Sequence, residues 1–176
     1  MTQSPDHQPG PFRSHPWPLD RLRDVVRLGR LRRVKFKAPE RFLYGEPISF
    51  ARDADIRSPH FVEFGHHVSV GKNFTCEVDL RVGNFVLISS NVSIIGRDHP
   101  FDDPTRTVYE AARTDDSIVE IGSDVLIGFG SILVGSAKIG DGCIVGAGSV
   151  VVGDLPPYTV CAGVPARPIK PRYPTA

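Results

Sequence analysis

Cysteine is scarce in this 176-residue chain. Cys76, Cys143 and Cys161 form no C-x-x-C pair and leave one thiol over, which argues against a disulfide framework or a zinc knuckle and for a reducing, cytoplasmic setting. No apolar run reaches 18 residues, so no membrane-spanning helix is expected. The opening MTQSPDHQPGPFRSHPWP lacks the apolar core of a secretory signal. Charge is nearly balanced at +1, without the single-sign excess that suits nucleic acid. Aromatics are few (9%), whereas glycine (17) and proline (16) are plentiful, a composition suited to short strands and turns.

What the sequence has is a period of six. From Ile121 it reads IGSDVL, IGFGSI, LVGSAK, IGDGCI, VGAGSV, VVGDLP. Each block opens on an aliphatic residue: Ile121, Ile127, Leu133, Ile139, Val145, Val151. The fifth position is mostly small: Val125, Ser131, Ala137, Cys143, Ser149, Leu155. A helix of 3.6 residues per turn would smear this pattern around its axis. A chain that turns a corner every six residues keeps it, with the first and fifth residues pointing into a prism. Glycine after the aliphatic residue is expected to ease the turns. Three faces make one coil, and coils stack by parallel pairing at about 4.8 Å, giving an all-β parallel β-helix. A rougher run keeps the spacing upstream: Phe64, Val70, Cys76, Val82, Ile88, Ile94. Ile56 and Val62 open an earlier coil whose register slips. Cys143, at a small interior position, reads as packing.

The repeat stops between Ile94 and Ile121, where DHPFDDPTRTVYEAARTDD is too polar and proline-marked for a wall. A loop of about 20 residues is expected there, and such loops on rigid scaffolds carry chemistry. His99 stands at its start. Asp98, Asp102, Asp103 or a loop carbonyl could orient the ring. The expected organisation is a disordered 1–15, a cap at 16–45, the β-helix at 46–155 with its loop at about 96–115, and a C-terminal arm at 156–176. The basic stretch LDRLRDVVRLGRLRRVKF is read as an amphipathic helix, with Leu22, Val25, Val26 and Leu28 on one face. A solvated cap is expected there, and membrane-surface contact is a lesser alternative.

The strings VGNFVLISSNVSI, DHPFD, IGSDVLIG, IGDGCIVGAGSVV, DLPPYTV and AGVPARPIK resemble the hexapeptide-repeat acyltransferases of the galactoside, maltose and nodulation type, and related polysaccharide O-acetyltransferases. The resemblance implies a left-handed β-helix, a homotrimer with sites between subunits, and an acyl-CoA donor, usually acetyl-CoA. It makes His99, the histidine before proline, the catalytic base. It assigns Asn73 (in NFTC) and Asp98 to the acceptor. Backbone groups at Gly128, Ala147 and Gly153 and the basic Arg167 and Lys170 are assigned to the CoA. A saccharide is the expected acceptor, with a small natural product as the alternative, and neither a metal nor nucleic acid is expected. A neutral imidazole, ordinarily titrating near pH 6.5, can take the acceptor's proton at neutral pH. Two rivals share the fold. One is a γ-class-like carbonic anhydrase, which His60, His66 and His67 suit poorly by spacing, and the other is a non-catalytic scaffold.

Overall fold

The computed structural model describes Val26, Gly29, Val34 and residues 41–96, 98–114 and 116–173. The segment expected to be disordered and most of the expected cap helix lie outside these residues. Val26, Gly29 and Val34 are helical, and Val34 is buried in the core cluster.

Five coils of three strands follow one another. They are β1 Arg41–Tyr44, β2 Ile48–Phe50, β3 Asp55–Ile56; β4 Phe61–Phe64, β5 Val68–Val70, β6 Thr75–Cys76; β7 Asp79–Val82, β8 Leu87–Ile88, β9 Ser93–Ile95; β10 Ile118–Ile121, β11 Leu126–Ile127, β12 Ile132–Val134; and β13 Lys138–Ile139, β14 Ile144–Val145, β15 Val150–Val151. The chain ends in β16 Thr159–Gly163 and β17 Ala166–Pro171. The first strand of each coil builds face A, the second face B and the third face C, all in parallel pairing. The result is a left-handed parallel β-helix. β16 continues face B, and β17 closes it as an antiparallel hairpin. Arg172 fixes that end, donating to both Asp124 carboxylate oxygens and to the carbonyls of Asp124 and Gly142 at 2.8–3.2 Å.

The pairing explains the periodicity. Ile127 pairs with Val145 and Leu133 with Val151, an offset of 18 residues or three hexads. Every first-position residue from Phe64 to Val151 is buried, as are the fifth positions apart from Asp98 at the start of the excursion, including Phe74 and Leu80 at 0% exposure. The first coil advances by 20, as Phe42 pairs with Val62 and Ile56 with Cys76, which is the slip seen in the sequence. The wall therefore starts at Arg41, inside the segment read as a cap. Val82 pairs with Ile121, an offset of 39, so the excursion inserts 21 residues without disturbing the register.

The glycines after the aliphatic residues serve a different purpose from the one expected. Left-handed backbone falls two residues later: His67, Phe85, Asp124, Gly142 and Tyr158 line one corner, and Asp53, Asn73, Asn91, Gly130 and Gly148 another. Asn and Asp tolerate that conformation better than most residues. Phe85, an unusual residue there, stacks on the His67 ring at 4.8 Å. Gly128 instead provides clearance, since a Cβ there would lie 2.5 Å from the Ala147 nitrogen of the next coil.

The faces differ outwardly. Face A carries a charged ladder of Glu63, Arg81, Glu120 and Lys138, ion-paired at 3.0–3.1 Å. Face B carries the ladder Leu87, Leu126, Ile144, Val160, apolar and partly or fully exposed. Among the described residues, no helix is long and apolar enough to cross a membrane.

Candidate active site

The long excursion leaves the corner between faces C and A, after β9, and returns at β10. Its base is pinned by hydrogen bonds. The His99 N–H donates to Asp98 Oδ1 (2.9 Å), and the Thr114 N–H donates to the Asp98 carbonyl (2.9 Å). His99 Nδ1 lies 2.6 Å from the carbonyl oxygen of Ala111, a residue 8% exposed. A carbonyl can only accept, so Nδ1 carries the proton and the neutral ring offers its lone pair at Nε2. The orienting group is thus a loop carbonyl. Asp103 is committed elsewhere, accepting from the Thr105 N–H and hydroxyl at 2.9 and 2.6 Å, and these bonds hold its carboxyl below the usual carboxylate range.

The residues expected to bind the acceptor separate. Asp98 braces the loop base beside His99. Asn73 sits in left-handed backbone at the corner between faces B and C, and its Nδ2 donates to Asn91 Oδ1 at 2.8 Å. A whole face divides it from the loop within one chain. Of the residues expected to hold the CoA, Gly128 and Ala147 stack on successive coils at that same B–C corner. Arg167 pairs with Ala162 near it, since a Cβ on Gly146 would lie 2.7 Å from the Ala162 Cβ. Gly153 lies on the corner from which the loop leaves, and Lys170 pairs with Val160 further along β17. Ala147, Gly153, Arg167 and Lys170 are exposed.

Sequence reasoning passed over a polar knot below the loop. Asp79, 6% exposed, accepts from Ser58 Oγ (2.7 Å), the N–H groups of His60 and Phe61 (2.9 and 3.1 Å), and His60 Nδ1 (2.9 Å). His60 Nε2 lies 3.4 Å from Asp116 on the returning limb. Burial would push the Asp79 carboxyl up, but these hydrogen bonds outweigh it and hold the group below its ordinary value. Its stabilisation is therefore complete above the unfolded carboxylate range, near pH 4, and is lost as pH falls through the lower folded value. Asp79→Asn should lower stability by about 1–3 kcal/mol at pH 7, because an amide turns donors toward donors. Urea melts of both proteins at pH 7 and at about pH 2 check this, and the variant should show the shallower acid dependence.

Ser58 bonds to Asp79 and the Phe61 carbonyl, so the cluster is not a nucleophile–base pair. The histidines weighed as zinc ligands are dispersed, with His66 on the Glu46 carbonyl (2.8 Å) and His67 on Phe85. Among the described residues, no three His, Cys, Asp or Glu side chains gather as a metal would need. Cys143 is fully buried, and its thiol is pushed up to about 12, mainly by burial.

Comparison with known proteins fits this architecture. Residues 118–153 match the family model of the bacterial transferase hexapeptide (six repeats). The Escherichia coli galactoside O-acetyltransferase is 32% identical over 126 residues, covering 67% of this chain, which spans 61% of that protein's length. The structure of a maltose O-acetyltransferase from Clostridium difficile aligns with a TM-score of 0.51 at 27% identity, over 90% of this chain and 79% of that one. AntD, an N-acyltransferase from Bacillus cereus solved with dTDP and 3-hydroxybutyryl-CoA, aligns with a TM-score of 0.55 at 25% identity, over 78% of each chain. With the hexapeptide transferase repeat wound into a left-handed β-helix, the chain resembles the hexapeptide-repeat acetyltransferases in both sequence and fold.

Proposed function

We propose that this chain transfers an acetyl group from acetyl-CoA to a hydroxyl or amine of a saccharide, with His99 as general base. The observation that carries the reading is the 2.6 Å contact of His99 Nδ1 with the Ala111 carbonyl, which frees Nε2 at the root of the long loop. Nε2 takes the acceptor's proton as its oxygen or nitrogen attacks the thioester carbonyl. The tetrahedral adduct then collapses, the carbon–sulfur bond breaks, and the imidazolium returns the proton to the departing thiolate. A positioned base of this kind contributes roughly 10²–10⁴-fold.

Gly128, Ala147 and Gly153 are assigned to backbone contacts with the donor, and Arg167 and Lys170 to its phosphates, as guanidinium and ammonium groups suit phosphate oxygens. AntD was solved with an acyl-CoA, and the galactoside and maltose enzymes are named for sugars, which supports donor and acceptor class. We assign Asn73 to the acceptor pocket of a neighbouring subunit, because it does not meet His99 in its own chain. A homotrimer is proposed with the apolar ladder of face B and the loop residues Phe101 and Tyr109, 86% and 94% exposed, as contact surface. The compartment proposed is the cytoplasm, in keeping with the free thiols Cys76, Cys143 and Cys161.

A thiol-release assay with acetyl-CoA across sugars, amino sugars and sugar nucleotides tests the reading. Acceptor-dependent release by a species with the mass of three chains is expected. A monomer that neither binds acetyl-CoA nor releases thiol refutes it.

A further inference from the structure

Successive coils bring Arg57, Glu77 and Gly96 to the corner from which the loop leaves, because Ile56 pairs with Cys76 and Cys76 with Ile94. The returning limb adds Arg113, and the four residues line a cleft of about 240 Å³. The cleft lies at the root of the loop that carries the candidate base, although His99 itself does not line it. Gly96 precedes His99 by three residues, and Arg113 follows Ala111, which holds the ring, by two. Its volume lies below the roughly 300–1,000 Å³ of pockets for drug-sized ligands, so it suits one sugar ring.

Among the described residues, the lining is two guanidinium groups, one carboxylate and one bare backbone. Arg57 spends Nη2 on Asp55 Oδ2 at 2.6 Å, and its side chain is 67% exposed. A guanidinium has five N–H donors, so most of its capacity faces outward. Arg113 is exposed as well. Asp55 and Glu77 offset part of this positive charge, so the cleft is no general anion trap. It favours a ligand that presents anionic oxygens to the arginines and hydroxyl donors to Glu77 together.

We propose that this cleft is the acceptor subsite and that it selects a saccharide bearing a carboxylate or phosphate, gripped by Arg57 and Arg113 while Glu77 accepts from a neighbouring hydroxyl. The proposal rests on the acetyltransferase reading and names its acceptor class. Forked guanidinium donors match both carboxylate and phosphate geometry, and a neutral sugar offers them no anionic oxygen.

Calorimetry on the full chain with glucose, glucuronate, glucose 6-phosphate and inorganic phosphate tests it, alongside Arg57→Gln and Arg113→Gln. The two anionic sugars should bind at least tenfold more tightly than glucose or phosphate. Each variant should lose at least tenfold toward the anionic sugars while its affinity for acetyl-CoA and its melting temperature stay unchanged. Equal binding of glucose, equal binding of bare phosphate, binding of none of the four, or equal weakening of neutral and anionic sugars in the variants would each overturn the proposal. The two readings fail separately. Tight glucuronate binding without thiol release counts against acetyl transfer alone, whereas acetylation of neutral sugars with anionic ones inert counts against the subsite alone.

Discussion

Replacing His99 by alanine is expected to lower turnover about a hundredfold or more, within the 10²–10⁴ range of a lost general base. Alanine has no lone pair for the acceptor's proton, so the attacking group must shed it to water. The fold should survive, because the loop base keeps the Thr114 N–H on the Asp98 carbonyl, and the loop keeps the Thr107 hydroxyl on Glu110 at 2.8 Å. The Ala111 carbonyl loses its ring donor, a local loss of about 1 kcal/mol. Thiol release at saturating acetyl-CoA and acceptor reads the effect, and unfolding curves confirm integrity. Turnover within twofold of the parent would remove His99 from the chemistry.

Phe74→Ala should cost about 3–5 kcal/mol of stability, the range for emptying a buried aromatic site. Phe74 is the largest fully buried side chain among the described residues, at 0% exposure. It fills a fifth-position site where the regular C-terminal coils carry Ser131, Ala137, Cys143 and Ser149. The two flanking coils are hydrogen-bonded across it, with Asp55 N–H on the Phe74 carbonyl and Thr75 N–H on the Val92 carbonyl, so the wall cannot collapse into the void. Phe74→Leu keeps much of the volume and should cost clearly less. Urea denaturation compares the three proteins, and a loss below about 1 kcal/mol for alanine would mean that the coil closes up after all.

The prism was legible because its rule is local. One aliphatic residue in six and one constrained position four later repeat whatever stacks above, and the structure buries Ile121, Ile127, Leu133, Ile139, Val145 and Val151 accordingly. The break in that rule located the loop. What the sequence did not disclose depends on how coils stack. Ala111 as the partner of His99 follows from a fold-back within the loop that no periodicity marks. The contact of His60 with Asp79 joins residues 19 apart, one step off the 18-residue register in which Val62 faces Leu80, and no periodicity marks it. The role of glycine was misplaced for the same reason. Turn geometry is a property of one strand end, but the clearance at Gly128 exists only because Ala147 arrives above it. Asn73 stands out by its motif; within its own chain it sits in left-handed backbone at a corner and bonds to Asn91, and the acceptor role proposed for it lies with a neighbouring subunit.

The excursion between Ile95 and Ile118 enters and leaves with the ladder of face A intact, Leu80 facing Val119 as though nothing intervened. Closing a longer or shorter segment between two fixed posts changes free energy only slowly with length. Such a segment can be exchanged like a tool head on a fixed handle. Transplanting it between relatives should exchange His99 and Arg113 together, while Arg57 and Glu77 stay on the coils and the barrel melts where it did before.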